Sequence, residues 1–187
     1  MSPRAGITQM DIVNAAIELA NTKGMKEVTM ANLAKELTIK PPSLYNHIKG
    51  LSDLLNILTL KALSDLYEVL KQSLANATKE NSIYAASMAY LTFAREQPGL
   101  YELTIETTVS KGEDIKIVSG KIIDLLIDIL HFYHLEKEDT IHAIRGLRSI
   151  LHGFASIENN RGFGMPVNVD ESFHFLITTY VNGLQKH

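Results

Sequence analysis

Between Lys40 and Lys49 the chain reads Lys-Pro-Pro-Ser-Leu-Tyr-Asn-His-Ile-Lys. A hydroxyl (Ser43), a phenol (Tyr45), an amide (Asn46), an imidazole (His47) and two ammonium groups crowd into a few helical turns. Leu44 and Ile48, four residues apart, are the only aliphatic side chains of the run apart from the prolines. These groups suit anions and base edges. Ser, Tyr, His and Lys can donate to phosphate oxygens, and a helix N-terminus adds its own N–H groups. Asn46 fits an adenine edge, a bidentate contact that discriminates by about 1–3 kcal/mol. A polar helix face taken alone is more commonly just solvated, so the segment needs a frame that would aim it at DNA.

Spacing supplies that frame. Thr8 can cap a first helix on which Val13, Ala16, Ile17 and Ala20 recur at helical intervals, and Gly24 ends it. Thr29 caps a short second helix with Leu33, Ala34 and Leu37. Thr38–Lys40 is long enough only for a turn, and Pro41 and Pro42 suit the first turn of a third helix, where a missing N–H costs nothing. Ala16, Ile17, Ala20, Val28, Leu33, Ala34, Leu37, Ile39, Leu44 and Ile48 can then share one small core. This is the pattern of a helix-turn-helix, whose second helix enters the major groove.

Downstream the chain also reads as helix. A long helix starts at Ser52-Asp53 and runs to about Thr78; others cover Asn81 or Ser82 to Glu96, 99–108, 114–133 and 137–159, the last capped near Asp139. Residues 160–168 form the one clear loop, and Asp170 caps a terminal helix. No hairpin dipeptide lies between alternating runs. The expectation is an all-α chain of about nine helices. Residues 1–51 form a three-helix DNA-binding domain, and 52–187 an antiparallel helical domain for dimerisation and ligand binding.

Composition narrows the function classes. The 187 residues contain no cysteine, which excludes disulfides and thiolate metal sites. The amino end lacks the apolar run of a signal peptide, and no uncharged stretch approaches the ~18 residues of a membrane span. No cofactor, membrane or metal is therefore implied, and the expected location is the cytoplasm. His131 and His134 share a helical face, but without an evident carboxylate partner they make a poor metal site. The net charge of −3 is uneven. Residues 1–55 hold six Lys and Arg against five acids, and the remainder hold twelve against sixteen. No P-loop, HExxH, nucleophile elbow or dinucleotide fingerprint is present, so an all-helical enzyme is a remote alternative.

The segment from Thr29 through Leu33-Ala34 and Pro42–Ile48 to Leu54-Leu55 resembles the DNA-binding domain of the TetR (tetracycline-repressor-like) family of bacterial regulators. Leu44, Tyr45 and His47 carry its most specific signature. The resemblance implies phosphate contacts from Thr29, Ser43, Tyr45 and His47, with Lys49 the nearest substitute for a lysine usual where Leu51 stands. It implies base reading through Lys40, Pro41, Pro42 and Asn46, and weak reading at Ala31, where arginine is common. Thr38 stands in place of the usual turn glycine, which predicts a strained corner.

The stretch Arg145–Glu158, followed by Gly162–Phe173, resembles the His-Gly-containing C-terminal domain of one branch of that family. There the last two helices pair with their symmetry mates in a four-helix bundle. The helix over 137–159 carries two apolar stripes, as a helix facing both a core and a partner would. Leu151, Gly153, Phe154, Phe173, Ile177 and Tyr180 are the expected dimer contacts. Gly153, costly inside a helix, would be explained by a close crossing. Tyr90, Tyr101, Arg148 and His152 are the candidates for an effector cavity. The implied function is a homodimeric transcriptional regulator, most simply a repressor, that binds a near-palindromic operator in double-stranded DNA and is released by an unknown small molecule. The alternative within the same fold is a constitutive DNA-binding protein without an effector.

Overall fold

The computed structural model describes residues 6–105 and 112–186. All regular structure among them is helical: α1 (Gln9–Lys23), α2 (Met30–Glu36), α3 (Pro41–Leu44), α4 (Leu51–Leu74), α5 (Ser82–Glu96), α6 (Pro98–Ile105), α7 (Glu113–Leu130), α8 (Lys137–Asn159) and α9 (Val169–Leu184), with 3-10 turns at Met25–Glu27 and His131–Tyr133. Of the short helix expected over 99–108, residues 106–108 lie outside the described residues. No helix among the described residues is long and apolar enough to cross a membrane.

Packing divides the chain into two compact units, Met1–Leu63 with Gln97–Lys116, and Ser64–Glu96 with Ile117–His187. This division by contact does not follow the expected boundary at 51/52, because α6 packs with the amino-terminal helices.

In the first unit the Thr8 hydroxyl accepts the Asp11 N–H while the Asp11 carboxylate takes the Thr8 N–H, a capping box that starts α1. Those Thr8 hydrogen bonds, the backbone one foremost, hold the Asp11 carboxyl below its ordinary range. Ile12, Val13, Ala16, Leu19 and Ala20 form the buried face of α1. Gly24, at φ 91°, closes it. The Thr29 hydroxyl accepts the Asn32 N–H at 3.2 Å and starts α2. That helix ends in a Schellman motif: Ile39 N–H bonds Ala34 O at 2.9 Å, and Thr38 N–H bonds Lys35 O at 3.1 Å. Thr38 sits at φ 55°, where a β-branched residue is strained. The corner is strained as the missing glycine suggested.

Helix α6 lies close on α1. A Cβ on Gly99 would come within 2.5 Å of the Ala20 backbone and Cβ, so only glycine fits there. Asn21 secures the crossing, donating to Gln97 Oε1 at 2.7 Å and accepting the Gly99 N–H at 2.9 Å.

The second unit holds the carboxyl-terminal helices. Arg95 of α5 grips Glu158 of α8 through two nitrogens, at 2.9 and 2.6 Å, and Asp170 of α9 at 2.6 Å. These partners, Glu158 first, push the guanidinium pKa up. Phe154 meets Phe163 at a tilt and Phe173 edge-on, each with ring centroids 4.8 Å apart. The Tyr180 hydroxyl donates to Ala143 O at 2.6 Å, and burial pushes its pKa up to about 12. The last turn of α8 repeats the motif at the end of α2, with Arg161 at φ 56° and Gly162 N–H on Ile157 O at 2.8 Å.

Several element ends differ from expectation. Helix α4 stops at Leu74, not Thr78, as the backbone tightens into i→i+3 bonds at Ala75 and Ala77. Glu136, not Asp139, occupies the N-cap of α8, and its side chain makes no capping bond. Asn168 caps α9 in place of Asp170: its Oδ1 accepts the N–H groups of Asp170 and Glu171 at 2.8 and 3.2 Å. The Asp170 carboxylate is left to Arg95.

Candidate nucleic-acid interface

Leu44 and Ile48, fully buried, anchor the 40–49 segment in the first unit beside Val28, Leu33 and Ala34. Their fourfold spacing turns the intervening residues outward. Lys40, Pro41, Pro42, Tyr45, Asn46 and Lys49 are exposed, Tyr45 by 58%, while Thr29, Ser43 and His47 are half-buried. Every residue expected to meet DNA thus reaches solvent, and none is lost to the core. Three of the ten expected core residues, Ile17, Leu37 and Ile39, are only half-buried, and Ile12 and Leu19 are core residues that the spacing argument missed.

The segment is not one regular helix. Helix α3 covers Pro41–Leu44, and the chain continues as a tightened turn in which His47 N–H bonds Leu44 O at 3.0 Å and Ile48 N–H bonds the same oxygen at 3.1 Å. The head of α3 also corrects the expectation that its N–H groups would serve a phosphate. Pro41 and Pro42 occupy its first two positions and have no N–H, and the Ser43 N–H is engaged by Lys40 O at 2.9 Å. The donors left for an anion at this helix head are side chains.

The end of the turn is tied to α1. Gln9 donates from Nε2 to the His47 carbonyl at 3.1 Å. Nothing in the sequence pointed to Gln9, because the pair is separated by 38 residues and a single amide carries no periodic signal.

The expected effector residues belong to both units. Tyr101 is buried in the first unit, whereas Tyr90, Arg148 and His152 belong to the second, with Arg148 exposed and the other two half-buried. The second unit holds a further candidate beside those four. The Tyr133 hydroxyl is buried with no hydrogen-bond partner among the described residues, and desolvation, with the Glu80 charge second, raises its pKa. His131 and His134 stand with ring centroids 6.4 Å apart, and no cluster of three or more His, Asp or Glu among the described residues could hold a metal.

Most of the expected dimer contacts are covered by the chain itself. Leu151, Phe154, Phe173 and Ile177 are buried in the chain's own core. Their stripe is the inward one: Phe173 packs edge-on against Phe154, and Ile177 is fully buried. The outward apolar residues on α8 and α9 are Ile141, Ile157 and Phe175, the last 73% exposed. Of the expected set, Gly153 and Tyr180 alone are half-exposed, and among the described residues nothing beyond the adjoining residues and backbone of its own helix lies within 4 Å of a Cβ built on Gly153. Among the described residues, no crossing within this chain accounts for that glycine.

Two family descriptions match the chain: "Bacterial regulatory proteins, tetR family" over residues 12–56, and "Tetracyclin repressor-like, C-terminal domain" over residues 83–180. The chain is similar to the HTH-type transcriptional regulator YobS of Bacillus subtilis, 38% identical over 185 residues, which span 98% of this chain and 96% of the relative. Among solved structures, BioQ with its natural double-stranded DNA operator superposes with a TM-score of 0.67 at 21% identity, covering 97% of this chain and 99% of that one. A TetR variant from Acinetobacter baumannii AYE in complex with minocycline superposes with a TM-score of 0.71 at 19% identity, covering 96% and 97%. At such identities the two structures establish a common fold.

Proposed function

Because the chain belongs to the TetR family of transcriptional regulators, which bind DNA through a helix-turn-helix and are not enzymes, we propose that it acts as a ligand-responsive homodimer on a near-palindromic operator. Residues 1–51 form the DNA-reading part and 52–187 the regulatory part. Two copies of the 40–49 segment enter successive major grooves about 34 Å apart. Thr29, Ser43, Tyr45, His47 and Lys49 hold phosphates, and Lys40, Pro41, Pro42 and Asn46 meet base edges. The observation that carries this reading is the outward row from Lys40 to Lys49, fixed from below by Leu44 and Ile48.

The dimer forms through the outward faces of α8 and α9, where Phe175, Ile157 and the open flank of Gly153 support a partner helix at close range. A small molecule in the cytoplasm shifts the dimer between two spacings of its reading heads and so releases the operator. The close seat of α6 on α1 at Gly99 supports residues 97–105 as the element that moves the head. Tyr90, His152 and the buried Tyr133 hydroxyl, which has no partner among the described residues, are the polar groups favoured for effector contact, and the minocycline complex of the related fold supports a small organic ligand.

The test is anisotropy titration against duplexes from the DNA flanking the coding region. Tyr45→Ala should weaken binding to every sequence, and Asn46→Ala should relax selectivity at one position per half-site. Unchanged affinity of both variants refutes the placement. A thermal-shift screen addresses the effector, since a ligand that binds only the folded state raises the melting temperature with concentration.

A further inference from the structure

Two features at the head of α3 have no use in phosphate binding. Pro41 and Pro42 are both exposed, and both lack an N–H. The next donor, the Ser43 N–H, is already bound to Lys40 O. This end of the helix therefore presents hydrocarbon rings with no donor to offer. The leading residues of the second helix of a helix-turn-helix are those that meet base edges. In the major groove the 5-methyl of thymine is the one apolar group that a base pair displays. Against any other edge a proline ring would take a donor or acceptor away from water and return nothing.

We propose that Pro41 and Pro42 read thymine methyl groups, so that each half-site carries thymine where the head of α3 enters. Asn46, exposed one turn further along, is the polar counterpart and takes an adenine. The operator is accordingly rich in A·T pairs at its contacted positions. This inference rests on the DNA-binding reading above and adds the base class that the surface selects.

The experiment uses the full-length protein and the duplex most enriched from a randomised pool. Single thymines are replaced by uracil, which differs only in lacking the methyl group. The expected result is a loss of about fourfold at one or two thymines per half-site, the effect of one buried methyl, and no loss at other thymines. In Pro41→Ala or Pro42→Ala protein, uracil at the matching position should cost no further affinity, because the ring that covered the methyl is gone. Equal binding of all uracil duplexes, or undiminished discrimination in both variants, overturns the inference and leaves the DNA-binding reading intact. Failure of the pool to enrich any duplex instead overturns that reading, and the inference with it.

Discussion

The 40–49 segment and the α8–α9 pair were both read from side-chain spacing, with opposite outcomes. In the first, every residue expected to face outward does so. In the second, four of six expected partner contacts lie in the chain's own core. The first segment has just two aliphatic anchors, Leu44 and Ile48, and one way to bury both. The long helices carry apolar residues on more than one side, Phe173 and Ile177 on one and Phe175 on another, and spacing does not say which side meets the chain's own core. A sparse apolar pattern specifies orientation, and a rich one leaves it degenerate.

The contrast is broken most directly at α9. Phe173→Ala should cost roughly 3–5 kcal/mol of stability by leaving a cavity under Phe154. Phe175→Ala should leave the chain's own fold nearly unchanged and weaken self-association in sedimentation. Denaturant titration of both variants decides the matter; equal losses would erase the distinction between inward and outward stripes.

Gly99→Ala sharpens the same point in the first unit, where a backbone contact leaves no room for adjustment. The added methyl would overlap Ala20, and a loss of about 1–3 kcal/mol is expected in chemical denaturation. A neutral Gly99→Ala would mean that α6 is not seated on α1 as described.

At the α8–α9 contact, Tyr180→Phe should cost about 1 kcal/mol by removing the bond to Ala143 O. Its signature is in the pH dependence. Burial first, and the neighbouring Tyr133 second, raise the folded-state pKa to about 12 from an ordinary 10. The contribution is therefore complete below pH 10 and is lost as pH rises from 10 through 12. The phenylalanine variant should lack that part of the alkaline decline in melting temperature, and an identical decline would contradict the assignment.

The smallest effect is expected at the turn between α2 and α3. Thr38→Gly relieves a left-handed β-branched residue at the expense of a looser unfolded chain, for a net gain of about 0.5–1 kcal/mol. Thermal melting should rise slightly. A fall would mean that the threonine side chain makes up for its backbone.

Local chemistry was legible because its partners lie within a few residues. Thr8 with Asp11, Thr29 with Asn32, and the prolines at the start of α3 behave as their types and spacing require. Competition between nearby caps was less legible: Asn168 takes the capping role expected of Asp170, since an amide two positions earlier reaches the Asp170 and Glu171 N–H groups at once. Long-range pairs left no trace. Gln9 with His47, and Arg95 with Glu158 and Asp170, are separated by 38 to 75 residues and have no periodicity to announce them.

The order of residues alone determined an all-helical chain, a helix-turn-helix near its amino end and the outward row proposed to meet DNA, because each depends on 3.6-residue periodicity and short-range capping. Tertiary structure alone decided that α6 packs with the amino-terminal helices, that Leu151 and Phe173 face inward, and that the Tyr133 hydroxyl is buried without a partner among the described residues. Burial is a property of what covers a side chain, and helices distant in sequence supply that cover.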